Sequence, residues 1–307
     1  MENILITGAN GLLGQKCIQT FNSHAYRVVG CDLHENSYVR AKNLVYKQFD
    51  ITNRISVKNV VEQFVPNAII NTAAFTNVDA SEVEKEKCWK INVEGVENLV
   101  YAAQKVGSSI IQISTDYIFD GNNGPYTEND DPEPIGYYGK SKLAAENVLI
   151  KSGIDHAILR TMVLYGNGRN VRLNFVTWII KKLQAGEKIS VVTDQIGNPT
   201  LTDDLANVIK NVYEQKKYDI FHAAGRDIVD RYNFALKIAD TFKLDKSLIT
   251  PIKTCDLNQT APRPLKSGFI LSKLEQELGI ETMSIEESLK LFKKQYKLNH
   301  LKLIGRR

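Results

Sequence analysis

The chain reads as an α/β protein: a doubly wound parallel sheet (Rossmann type) with a smaller α/β substrate lobe. Three observations predict it. Through the first half, short β-branched runs alternate with longer stretches of helical periodicity, the pattern of a parallel sheet covered on both faces. Gly8, Gly11 and Gly14 fall between the first apolar run and the first helical stretch, where a nucleotide-binding turn has to sit. Beyond residue 166 the alternation loosens into a second set of helices and short extended runs.

Residues 3–7 are apolar and form the first strand; the glycine turn then opens a helix reaching residue 22. Residues 26–33 and 44–49 carry the next two strands. Residues 55–64 space their apolar side chains for a helix, and 68–74 read as a buried strand. A long helix is expected over 83–106, with Ile91, Val93, Val96, Leu99, Val100 and Ala103 as its core stripe. Residues 109–114 are the next strand and 138–151 the helix after a loop rich in Gly, Asn and Pro. A strand over 156–165 follows. Later, 175–185, 203–213, 231–242, 271–278 and 284–296 are helical, and 188–193 and 220–223 extended. Right-handed crossovers then give a doubly wound fold. Residues 1–166 are read as the dinucleotide-binding domain, with later segments returning to its sheet, and 167–307 mainly as the substrate lobe.

The 307 residues, 43% hydrophobic and 24% charged, have the balance of an ordinary globular chain. No apolar run approaches the roughly 20 residues that span a bilayer. The chain enters a strand almost at its first residue, so neither a signal peptide nor a membrane partner is expected. Cys17, Cys31, Cys88 and Cys255 show no metal spacing and no disulfide framework, which suits a reducing cytoplasm and no bound metal. The net charge is +4, but residues 290–307 hold seven Lys or Arg and no acid, so the rest is net negative. A solvated basic tail explains that balance better than a nucleic-acid partner.

In the glycine turn, Gly8 permits the bend, Gly11 lets backbone N–H groups approach a pyrophosphate, and Gly14 allows close helix-on-strand packing. Asp32 ends the second strand, 24 residues after Gly8. A carboxylate there accepts the adenosine ribose hydroxyls and repels a 2′-phosphate, which favours NADH over NADPH. His34, Arg40 and Lys42 stand close by and soften the preference, so NADPH stays open. Asp50 and Ile51 follow the third strand, where they can cap the adenine edge.

Four Tyr residues precede a Lys by four: Tyr38/Lys42, Tyr101/Lys105, Tyr138/Lys142 and Tyr213/Lys217. Only Tyr138/Lys142 follows a strand-end hydroxyl, in Ser114-Thr115-Asp116, and opens a helix beside the cofactor crevice. Residues i and i+4 share a helix face. Such a pair moves a proton to or from an alcohol or ketone. Free Tyr titrates near 10, and lowering it by about three units takes roughly 4 kcal/mol. An ammonium about 5 Å away supplies roughly 3 kcal/mol of that at an effective dielectric of 20, and the positive nicotinamide of an oxidised cofactor the remainder, so an acidified phenol is expected. Thr115 would hydrogen-bond the reacting oxygen. Tyr137 points about 100° away around the helix and is read as a packing or substrate contact.

These motifs resemble the extended short-chain dehydrogenase/reductases, and more narrowly the dTDP-4-dehydrorhamnose reductase family, over nearly the whole length. The resemblance is carried by residues 71–79 (Asn-Thr-Ala-Ala-Phe-Thr-Asn-Val-Asp), 114–121 with Pro125-Tyr126, 139–146, 194–200 (Asp-Gln-Ile-Gly-Asn-Pro-Thr) and 263–267 (Arg-Pro-Leu-Lys-Ser). It implies that Gly11, Leu12, Leu13, Asp32, Asp50, Ile51, Ala74, Phe75, Thr76, Tyr138 and Lys142 bind the dinucleotide. It also implies that Thr115 and Asp116 contact the sugar and that Asn174 lies near the substrate. Arg263 is read as a partner for the diphosphate, since its guanidinium is a bidentate fork, with a structural ion pair as the competing reading. The chain departs from the family pattern at Leu12, where Gln is usual, and at Val163, where Trp is frequent.

The expected activity is reduction of the 4-keto group of a nucleotide-diphospho-4-keto-6-deoxy sugar by NADH or NADPH. Two alternatives stay open: a sugar-nucleotide epimerase retaining its NAD, and a non-catalytic regulatory subunit resembling methionine adenosyltransferase β. Family members are sometimes metal-linked dimers, so a homodimer is left open, although no ligand cluster in the sequence supports the metal.

Overall fold

The computed structural model describes residues 1–304, and the side chains of residues 1–298. Part of the basic tail therefore lies outside the described residues. β1 (Glu2–Thr7) leads through the glycine turn into α1 (Leu12–Thr20), followed by β2 (Tyr26–Asp32), β3 (Leu44–Gln48), α2 (Arg54–Phe64) and β4 (Ala68–Asn71). Next come α3 (Val78–Val83), α4 (Lys85–Trp89), a π-helical turn (Lys90–Glu94), α5 (Gly95–Val106), β5 (Ser109–Thr115), α6 (Tyr137–Ser152), β6 (His156–Thr161) and β7 (Leu164–Tyr165). The second half adds α7 (Phe175–Gln184), β8 (Ile189–Val192), β9 (Ile196–Gly197), β10 (Thr200–Leu201), α8 (Thr202–Gln215) and β11 (Ile220–His222). It ends with β12 (Val229–Asp230), α9 (Arg231–Phe242), β13 (Ile249–Ile252), α10 (Ser272–Leu278) and α11 (Ile285–Ile304).

Seven strands form one sheet in the order β11-β6-β5-β4-β1-β2-β3, and each neighbouring pair is parallel. The order reverses between β1 and β4. A crevice opens there at the carboxyl ends of the strands, the place where doubly wound sheets bind ligands. Strand geometry explains the two covered faces. Ile4 and Ile6 of β1 join a core with Cys17, Ile18, Leu205, Ile209 and Phe221. Leu5, between them, faces the opposite core of Val57, Leu99, Ala103 and Leu149. Successive side chains point to opposite faces, so a strand buried on both sides has to be apolar throughout. Each such side chain contributes roughly 1.5–3 kcal/mol of burial.

The second lobe has its own core, with Tyr165, Ile180, Phe234, Leu289 and Phe292 at its centre, built by α7, α9, α11 and the β8–β13 pair. Residue 166 is not a clean break. α8, β11 and α10 place Leu205, Val212, Phe221, Leu274 and Leu278 in the first core.

Three elements differ from the sequence expectation. The helix expected over 83–106 starts earlier, at Val78, because the Asn77 side chain accepts from the Ala80 N–H at 3.2 Å and caps it. It is broken by Glu84 at ψ 51 and interrupted by the π-helical turn. The strand expected over 68–74 ends at Asn71, and residues 72–74 turn away to line the crevice. The strand expected over 156–165 splits, because Val163 takes φ 48, in the left-handed region. Leu164 and Tyr165 then pair with Thr200 and Leu201 instead. A β-branched residue at positive φ costs about 1–3 kcal/mol, held here by the packing around it.

Candidate active site

The glycine turn folds as its spacing requires. Gly8 has φ 62, and a Cβ on Gly14 would lie 2.1 Å from the Gly8 carbonyl oxygen. Gly11 caps α1 without a side-chain hydrogen bond, so the first N–H groups of that helix point unblocked toward the crevice. A side chain at Gly8 would strike the Thr72–Ala73 backbone and one at Gly14 the turn itself, so only glycine allows this turn, and the free N–H groups fit a dinucleotide pyrophosphate.

From this turn a cleft of about 790 Å³ runs along the carboxyl ends of the strands. Gly8, Gly11, Leu12, Leu13, Asp32, Asp50, Ile51, Ala74 and Thr76 line one end, and Thr115, Asp116, Tyr138 and Lys142 the other. Val163 and residues 170–172 form the far wall. Asp32 Oδ2 accepts from the Asn10 backbone N–H at 2.9 Å, which fixes the carboxylate at the end of β2. Asp50 Oδ1 accepts from Thr52 N at 2.8 Å in a tight turn, and Ile51 is buried beside it. Gly14 and Phe75 stand behind the cleft lining. The Phe75 N–H donates to Asn92 Oδ1 at 2.8 Å, so its segment is held from behind.

The helix bearing the Tyr/Lys pair is positioned by contacts remote in sequence. Glu82 Oε1 accepts from the Tyr137 N–H at 2.6 Å and so closes the N-terminus of α6. Gly139 lets α6 lie directly on the turn after β5, since a Cβ there would be 2.0 Å from the Tyr117 carbonyl oxygen. The Tyr117 and Tyr138 rings meet edge to face at 5.5 Å. Lys142 is buried and donates from Nζ to the Ile113 carbonyl at 2.6 Å. Thr115 Oγ1 donates to Asp116 Oδ1 at 3.1 Å and accepts from the Tyr117 N–H at 3.2 Å.

The chain's own groups do not acidify the phenol by themselves. Burial, with the charge of Asp116 and the neighbouring Tyr117, raises the Tyr138 phenol above its ordinary value, and the Thr115 hydroxyl pulls back only partly. Burial lowers Lys142 to about 8, against the attraction of Glu146 and Cys88. Desolvation of both groups outweighs the ion–phenol attraction. At neutral pH the phenol keeps its proton and the lysine its charge. A protonated phenol beside a fixed hydroxyl is suited to giving a proton to an incoming ketone oxygen. Burial likewise raises the Asp116 carboxyl, although Ser267 Oγ donates to it at 2.8 Å.

Two expected substrate residues are not among the side chains lining the cleft. Asn174 caps α7: its Oδ1 accepts from Thr177 N at 3.0 Å and its Nδ2 donates to the Gly166 carbonyl at 2.9 Å. Arg263 donates to Asp79 Oδ2 at 2.8 Å and to the Ala261 carbonyl at 3.0 Å. Local backbone and a carboxylate hold their polar atoms, while the Arg263 guanidinium stands over the ring of the cleft residue Tyr117 at 6.0 Å. Tyr137 tilts against Trp89 at 6.4 Å, a packing contact. Of the other Tyr/Lys pairs, Tyr101 packs under Arg54 and Tyr213 is buried in the first core; only Tyr38 reaches the cleft, at the Asp32 end.

Sequence reasoning missed Asn92 and Gln15. Asn92 sits in the π-helical turn and donates to Ser141 Oγ at 2.9 Å while accepting from Phe75. It thereby joins a cleft loop to α6. A polar residue inside the apolar stripe of a long helix was the available signal. Gln15 exchanges hydrogen bonds of 2.8 and 2.9 Å with the Arg169 backbone, hanging the far wall of the cleft from α1. Among the described residues, no cluster of three or more His, Cys, Asp or Glu could hold a metal. No helix among them is long and apolar enough to cross a membrane.

The RmlD substrate binding domain model matches residues 1–298. The dTDP-4-dehydrorhamnose reductase of Aggregatibacter actinomycetemcomitans is 35% identical over 303 residues, 94% of this chain and 98% of that protein. A solved dTDP-4-dehydrorhamnose reductase from Bacillus anthracis, in complex with NADP, superposes with a TM-score of 0.88 at 34% identity. That match covers 96% of this chain and 99% of the other. Methionine adenosyltransferase 2 subunit beta of Danio rerio is 33% identical over 289 residues, 92% of this chain and 87% of that protein.

Proposed function

The chain belongs to the RmlD substrate binding domain family, and on that premise we propose that it is an NAD(P)H-dependent reductase. Its substrate is a nucleotide-diphospho-4-keto-6-deoxy sugar of the dTDP-4-dehydrorhamnose type, and the product is the 4-hydroxy sugar. The observation that carries this reading is the meeting of Thr115, Tyr138 and Lys142 on one wall of a cleft whose other end is the glycine cradle.

The nicotinamide supplies the hydride when bound. Every other part falls to the chain. The uncapped N-terminus of α1 and Gly8, Gly11, Leu12 and Leu13 take the pyrophosphate, and Asp32 takes the adenosine ribose. Asp50, Ile51, Ala74 and Thr76 border the dinucleotide. Thr115 orients the ketone oxygen, Tyr138 Oη gives it a proton, and the Lys142 ammonium stabilises the phenolate left behind. Asp116, beside Thr115, meets the sugar. A raised phenol suits this direction, because the donor arrives protonated.

Loss of NADH or NADPH absorbance against a panel of 4-keto sugar nucleotides tests the reading. Turnover with at least one of them is expected; none with any would overturn it. The match to methionine adenosyltransferase β subunits favours a second reading, a binding subunit without turnover, and the same assay separates the two. An epimerase would instead purify with bound NAD⁺ and turn over without consuming NADH.

A further inference from the structure

We propose that Glu146 is a positioning residue for this reaction, fixing the rotational phase of α6 on the sheet and holding Lys142 in its charged form. The claim rests on the reductase reading above. Glu146 lies on α6 four residues after Lys142 and eight after Tyr138, on the same helix face. It is fully buried. Ser114 Oγ donates to Glu146 Oε1. Arg160 closes the other side, Nε at 3.2 Å from Oε1 and Nη2 at 2.8 Å from Oε2.

The placement of these partners is what points to the site. Ser114 and Arg160 are register partners across β5 and β6, as are the next residues, Thr115 and Thr161. Both threonines line the cleft. Consecutive residues of β5 therefore grip consecutive turns of α6. Ile113 takes Lys142 through its carbonyl, Ser114 takes Glu146, and Thr115 comes next, at the Tyr138 hydroxyl. A rotation of the helix that broke the Glu146 contacts would carry Lys142 and Tyr138 away together.

A buried ion pair contributes little net stability, because desolvating both charges offsets their attraction. An apolar pair of similar size would cover the sheet as well. What such a pair cannot supply is a fixed negative charge one turn from a buried ammonium. From its own helix Lys142 faces Glu146 and the neutral Tyr138 phenol; from α4 it faces Cys88, whose thiol burial pushes up. β5 offers it only a carbonyl and hydroxyls, and Arg160 of β6 is tied to Glu146. Asp116 stands beside Tyr138 at the end of β5. Glu146 is thus the anion that opposes the effect of burial on Lys142.

The test is the pH profile of kcat/KM for Glu146→Gln against wild type, with NADH affinity followed over the same range. Tyr138 titrates above its ordinary value, so the first loss of activity on raising pH belongs to Lys142. In Glu146→Gln that basic limb is expected to move down by about one unit, with turnover at pH 7 reduced about twofold and at pH 8 more. A limb that stays in place overturns the proposal even if the variant is less stable, because a merely structural role would leave it there.

Should Glu146→Gln fail to fold, Glu146→Asp keeps the charge and shortens the reach. It is expected to hold the limb and lower kcat about tenfold; wild-type kcat would refute the positioning claim. If wild type turns over no 4-keto sugar, the reductase reading has failed. The pH dependence of NADH binding then decides for Glu146: a displaced profile supports its role and coincident profiles end it.

Discussion

Arg263 and Asp79, 184 residues apart, are joined by an ion pair of 2.8 Å, with the guanidinium nearly buried and the carboxylate half-exposed. The same carboxylate accepts from the Ala261 N–H at 3.0 Å. The pair fastens the loop before α10 onto α3, next to the Glu82 that closes the N-terminus of α6.

Arg263→Ala is therefore expected to destabilise the protein by about 1 kcal/mol, the exposed side of the pair keeping the figure small. KM for the sugar nucleotide is expected to change less than about twofold, since the fork is occupied by Asp79 and Ala261. Chemical denaturation and steady-state kinetics check both. A tenfold rise in KM without loss of stability would give Arg263 the diphosphate role that its sequence position suggested.

Tyr138→Phe is expected to lower turnover at least about a hundredfold while NADH still binds, because it would remove the proposed proton donor and leave the cradle around Gly8 and Gly11 intact. Single-turnover kinetics and fluorescence titration of NADH provide the measurement. Near-normal turnover would show that another group protonates the ketone.

Asp32→Ala is expected to weaken NADH binding about tenfold and NADPH binding less, because in the proposed site the carboxylate would accept the ribose hydroxyls and repel a 2′-phosphate. Competitive titration with both cofactors reads the ratio. Equal losses would mean that the carboxylate serves only the Asn10 backbone.

His222 gives the protein an acid sensitivity away from the cleft. It is fully buried, stacked on Phe269 at 3.9 Å, with Nδ1–H donating to the Tyr126 carbonyl at 3.1 Å. Burial and the positive charge of Arg160 lower it from 6.5 to about 3. Between those two values the unfolded chain binds a proton that the folded chain refuses, so stability falls as pH drops below 6.5 and stops falling near 3. From pH 6.5 to 4.5 this group removes about 2 kcal/mol. In His222→Gln that part of the acid loss should be missing. Parallel unfolding-versus-pH curves for wild type and variant would reject the assignment.

The doubly wound parallel sheet, the glycine turn and the presence of Tyr138 and Lys142 on one helix at the crevice were legible in the sequence. Each depends on local regularities: side-chain period, backbone freedom at Gly8, and the i, i+4 face of a helix. What only the tertiary structure decided are the properties that depend on what is packed beside a group. The Asn174 amide was drawn to the Gly166 carbonyl and Arg263 into an ion pair because Gly166 and Asp79 stand next to them in space. The long helix took up a π-helical turn where Asn92 reaches across to Ser141 and Phe75. Desolvation is likewise set by the whole surround and not by the neighbour one turn away. That is why the Tyr138 phenol is held above its ordinary value where the sequence pattern pointed to a lowered one.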